Sequence, residues 1–164
     1  TDIEKDTAAL DLIADLAFGP TSPLYQRLVV QEQKVDALSG SSPSRVDPGL
    51  FTIFTRVKPG ADVDAIRDDI IATLNGFKDT PVDPKRLDAV KKNLRYDFAL
   101  SMNNSEAIAG ALARAIALRR SPETLNRLYA LYELITPADL VAAARKYFVE
   151  TSRTVVTLAG PKAK

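Results

Sequence analysis

Four pairs of a helix-capping residue and a proline each stand immediately before a helical pattern in this chain: Ser22-Pro23, Asp83-Pro84, Ser121-Pro122 and Thr136-Pro137. A side-chain oxygen at such a position accepts a hydrogen bond from an unpaired first-turn amide. Proline at the next position loses nothing, because its missing N–H would have had no helical partner. Each pair therefore predicts a helix start, and Thr136 with Asp139 also approximates a capping box.

Apolar spacing fills in the elements. Leu10, Ile13, Ala14, Ala17 and Phe18 predict an amphipathic helix over 7–18 that Gly19-Pro20 stops. A second helix runs from Pro23 to near Gln33, with Leu24 and Leu28 on successive turns. Asp62 caps a third that carries Val63, Ile66, Ile70, Leu74 and Phe77 on one face. Residues 83–148 read as four helices. The first carries Leu87, Val90, Leu94 and Phe98, and the second, capped by Ser105, turns Ile108, Leu112, Ala115 and Ile116 inward.

Strand signals are fewer. Asp47-Pro48-Gly49 predicts a turn into a strand over 50–57, ended by Lys58-Pro59-Gly60. Its simplest partner is an antiparallel strand before the loop Gly40-Ser41-Ser42-Pro43-Ser44, and β-rich Thr154–Ala159, closed by Gly160-Pro161, is expected to return to the same sheet. The fold class is α+β: a mostly antiparallel sheet with helices packed on one face. Residues 1–164 form a single domain, without repeat, low-complexity tract or linker. Three strands are few for so many helices, and a chain that opens on a helix leads us to expect further strands from sequence before Thr1, as in a fragment of a longer protein.

Composition narrows the function. The chain is 46% hydrophobic and 26% charged, an ordinary globular balance. With 22 basic against 21 acidic residues it has no bulk field to draw it onto nucleic acid or anionic lipid. No apolar run approaches the roughly 20 residues of a transmembrane helix. Thr1 to Asp6 has no signal-peptide character. The absence of Cys excludes disulfides and thiolate catalysis, and the absence of His removes the commonest zinc ligand and general base.

The remaining candidates for chemistry are carboxylate pairs, Asp62/Asp64, Asp68/Asp69 and Asp79/Asp83. Each lies at a helix start or on a polar face, where acids stabilise the macrodipole or stay solvated. The glycines are too scattered for a phosphate loop, and the serines of Ser39-Gly40-Ser41-Ser42 have no neighbour placed to activate them. Lys91-Lys92, Arg95, Arg114 and Arg119-Arg120 read as a solvated basic face. Tyr25, Tyr96, Tyr129, Tyr132 and Tyr147 read as core-edge residues with wet hydroxyls. No catalytic, cofactor-binding or metal residue is assigned.

Several segments resemble one known family. Ala9–Gly19, Thr21–Val29 with its Ser22-Pro23-Leu24-Tyr25 core, Asp47–Phe51, Ile135–Leu140 with Ala144–Phe148, and Arg153–Leu158 occur in order over residues 8 to 159. They are similar to the non-catalytic second domain of a half of insulinase/pitrilysin-type (inverzincin) zinc metallopeptidases. The resemblance implies a metallopeptidase-half-like domain that helps to wall a chamber around a peptide. Zinc and the His-x-x-Glu-His motif, with a downstream Glu, would lie in a preceding domain of the same polypeptide or in a paired subunit. Some second-half domains also supply a substrate-binding Arg and Tyr seven residues apart; here those positions hold Val29 and Asp36, which argues against such a role. The resemblance further implies a bacterial periplasm or cell envelope. The alternatives are a structural or assembly subunit of the same fold, or an unrelated binding module. A chain cut from a longer protein is also expected to expose a face through which it forms a homodimer.

Overall fold

The computed structural model describes residues 2–43, 45 and 49–158, with side chains from Glu4 onward. Helix α1 spans Asp2–Phe18, and a single helical turn, α2 (Pro23–Tyr25), runs directly into a π-helical turn over Gln26–Gln31. Strands β1 (Val35–Ser41) and β2 (Thr52–Val57) follow. Five helices come next: α3 (Val63–Asp79), α4 (Pro84–Ser101), α5 (Ser105–Arg119), α6 (Thr124–Leu134) and α7 (Pro137–Tyr147). A 3₁₀ turn over Glu150–Ser152 is the last regular element among the described residues.

Three of the four cap-plus-proline starts form as the chemistry dictates. Ser22 accepts from the Tyr25 amide at 3.1 Å and Asp83 from the Lys85 amide at 3.1 Å. Thr136 and Asp139 complete a reciprocal capping box. The fourth does not: α6 begins at Thr124, after a turn in which the Ser121 hydroxyl bonds the Glu123 carboxylate. The cap of α5 is Asn104, one residue ahead of the predicted Ser105, with its side chain accepting from Ala107 at 2.9 Å.

The fold is α+β. β1 and β2 pair antiparallel from Val35↔Val57 to Ser41↔Thr52, with an irregularity between Val35 and Ala37. β1 thus reaches into the stretch expected to be loop. The predicted turn at Asp47-Pro48-Gly49 lies, apart from Gly49, outside the described residues.

Helix α1 is the centre of the molecule. It packs against β1, α4, α6 and α7, so Ala8, Leu12, Ile13, Leu16 and Phe18 are all buried. Gly40 of β1 explains the close approach of the sheet: a Cβ there would stand 2.7 Å from the Phe18 ring and 3.2 Å from the Ala14 methyl. Around this spine gather Leu28, Val35, Ile66, Leu87, Ile135 and Leu140 in one continuous core.

Two expectations fail. Residues 153–158 form no strand, and Val155, Val156 and Leu158 are 52%, 87% and 98% exposed; Ala159 and Gly160-Pro161 lie outside the described residues. β propensity describes fitness for a half-buried pleated surface, and no described strand lies alongside this segment to provide one. Nor is the stripe of α5 inward: Ile108 and Ile116 are 43% and 49% exposed, Leu112 is exposed as well, and only Ala115 of that helix is buried. Periodicity predicted an apolar face correctly but could not supply the surface to cover it.

Candidate functional site

The carboxylate pairs singled out in the sequence stay apart from any chemistry. Asp62 caps α3, accepting from the amides of Asp64 and Ala65 at 3.0 and 3.1 Å. Asp64 and Asp68 both bind Arg67, at 2.6 and 2.9 Å, and Asp69 binds Arg27 at 2.7 Å. Asp62, Asp64, Asp68, Asp69 and Asp83 are thus engaged in capping or in ion pairs at the surface, an arrangement that stabilises weakly and activates nothing, and Asp79 is exposed at the end of α3.

Val29 packs against the core and Asp36 is exposed on β1, 3.5 Å from the Lys58 amine. Neither carries a cationic or phenolic group. Ser39 and Ser41 lie exposed on β1.

Two assignments made from sequence change. Lys91 is not part of a solvated face; it is buried, and its amine donates to the carbonyls of Ile135 at 2.7 Å and Glu133 at 3.1 Å. A cation thus closes the C-terminal end of α6, where unpaired carbonyls and the helix dipole favour it. Tyr132 is buried rather than wet, and its hydroxyl donates to Asp11 at 3.0 Å.

The Asp11–Tyr132 contact is electrostatically unusual among the described residues. Burial raises the Asp11 carboxyl to about 7 against the lowering effect of the Tyr132 hydrogen bond. One turn further along α1, Asp15 is also raised, by burial and by the nearby Asp97 of α4. The rings of Tyr129 and Tyr132 meet edge to face at 5.5 Å, and Phe98 lies 4.4 Å from Tyr129. The signal available in the sequence was Asp11 itself, an acid between Leu10 and Leu12 on a helix that turned out to be covered on all sides.

Two clefts accompany the fold. One of about 330 Å³ is lined by Leu16, Ala17, Pro23, Leu24, Arg27, Thr73, Phe77 and Arg86. Its cations are committed, Arg27 to Asp69 and Arg86 to the Leu16 carbonyl at 2.5 Å. The other, about 630 Å³ between α4 and α6, is lined by Arg95, Phe98, Ala99, Met102, Asn126, Tyr129, Ala130 and Glu133. Neither contains a nucleophile paired with a base. Among the described residues no group of three or more acidic side chains is placed to hold a metal ion, and no helix is long and apolar enough to cross a membrane.

Residues 1–94 match the family described as the Peptidase M16 inactive domain, and the chain belongs to that family. It is 26% identical over 155 residues to the "Zinc protease PqqE" of Helicobacter pylori, a match covering 94% of this chain and 35% of that protein. Among solved structures it resembles a protease from Helicobacter pylori with a TM-score of 0.80 at 25% identity, over 90% of this chain and 36% of that one. The inactive peptidase domain of a Bordetella parapertussis protein shares the fold, with a TM-score of 0.76 at 24% identity over 92% of this chain and 81% of the other. The chain thus spans about a third of the length of its Helicobacter relative. The resemblance drawn from the sequence is upheld: this is a non-catalytic domain of the zinc-protease family.

Proposed function

We propose that this domain serves a zinc-dependent endopeptidase by helping to form the chamber that encloses a peptide substrate, while a partner domain holds the metal and activates water. The observation that carries the reading is a mismatch of donors. A relative named as a zinc protease matches nearly the whole chain, yet the chain has no His and no Cys, and its described carboxylates do not converge. Zinc takes its ligands from imidazole, thiolate and carboxylate in tetrahedral sets, so these residues do not fit the ion and no step of hydrolysis is assigned to them. The metal belongs to the catalytic domain of the same polypeptide or to a paired subunit, in the periplasm or cell envelope of a bacterium.

The test is a comparison of the protein encoded by the whole reading frame with this chain alone, by metal analysis and by cleavage of unstructured peptides. Zinc and cleavage confined to the longer protein are the expected result. Absence of both from the longer protein would replace the peptidase reading with that of a structural or assembly subunit.

A further inference from the structure

Helix α5 is built like a core helix and sits like a surface one. Between Ala107 and Leu118 its only polar side chain is Arg114, yet within α5 Ala115 alone is buried. A helix apolar on every side is normally covered on every side. Here α6 is its main neighbour, and Ile108, Leu112 and Ile116, one turn apart, face solvent. Arg114, Arg119 and Arg120 add positive charge along and beyond it, and none has an ion-pair partner among the described residues.

We infer that α5 is the surface by which this domain docks onto the rest of its polypeptide, against an apolar segment bordered by carboxylates. The inference rests on the reading above, in which a partner domain exists. Three observations favour this occupant. The Helicobacter relative is nearly three times as long as the matched region, so chain is available to cover the helix. A second copy paired in parallel would set the arginines of one α5 against those of the other, and like charges brought together at an interface are costly. A lipid surface suits a helix with a strongly charged face opposite its apolar one, which α5 lacks.

The chain contains no cysteine, so single cysteines report on coverage directly. Ile108→Cys, Leu112→Cys and Ile116→Cys are placed in the protein from the whole reading frame and in this chain alone. A small maleimide labels them, and the modified peptides are quantified by mass spectrometry, with exposed Lys85→Cys as control. Labelling at the three α5 positions should slow about tenfold or more in the longer protein, with the control unchanged. Adding Arg114→Glu and Arg119→Glu should restore much of the lost rate at Leu112→Cys in low salt.

Equal α5 rates in the two proteins would overturn the proposal, and an unchanged rate in the charge-reversed variant would overturn its carboxylate part. Slowing in the isolated chain that grows with concentration would overturn it in favour of self-pairing. Slowing only with phosphatidylglycerol vesicles would overturn it in favour of a membrane. Zinc content and cleavage by the same samples keep the two readings separate. Protected α5 in a metal-free, inactive protein leaves the docking surface and defeats the peptidase; freely labelled α5 in an active zinc protein does the reverse.

Discussion

Helices α1 and α5 are close in composition and opposite in fate. From Ala8 to Phe18 the only polar residues of α1 are Asp11 and Asp15, and from Ala107 to Leu118 the only one of α5 is Arg114. Yet α1 is wrapped by β1, α4, α6 and α7, while α5 rests chiefly on α6. Apolar surface removed from water contributes roughly 25 cal/mol per Å², so the stability of this chain is concentrated in the first helix. The lesson is that an apolar helix announces a need for cover without saying who provides it. In α1 the provider is this chain; for α5 we assign it to the remainder of the polypeptide.

The contrast is easiest to break at Phe18. It is fully buried against Gly40, and Phe18→Ala should cost about 3–5 kcal/mol, read as a large drop in the urea midpoint of the isolated chain. A loss below about 1 kcal/mol would mean that α1 is not the spine.

The second effect belongs to Asp11. Its folded carboxyl titrates at about 7 against an ordinary 3.8, so between those values the folded chain keeps a proton that the unfolded chain has released. The contribution of Asp11 to stability is therefore fully present below pH about 4, is lost as pH rises through that window, and levels off above about 7, a swing on the order of 4 kcal/mol. Asp11→Asn should flatten the slope, leaving the part contributed by Asp15, and raise the melting temperature at pH 8. A variant whose melting temperature follows pH as the parent does would show that Asp11 is not the group responsible.

Gly40→Val sharpens the comparison from the sheet side. The added carbons meet Phe18 and Ala14 below contact distance, and overpacking should cost about 1–3 kcal/mol, with increased amide exchange in β1. The smallest effect is expected at α5. In the isolated chain Ile116→Ala should change stability by about 1 kcal/mol or less, because Ile116 is already 49% exposed. A loss matching that of Phe18→Ala would erase the distinction between the two helices.

The sequence by itself determined the local structure and the missing chemistry. Capping oxygens and prolines located most helix starts because those signals act on the next three or four residues, within reach of a side chain. Zero His and zero Cys excluded His-based and thiolate chemistry whatever the fold. Tertiary structure decided what depends on neighbours distant along the chain. The Lys91 amine finds its carbonyls more than 40 residues away, Asp11 meets Tyr132 across 121, and Val155 and Leu158 meet no strand among the described residues. Burial, pairing and proton affinity are properties of surroundings, and surroundings are assembled only when the chain folds.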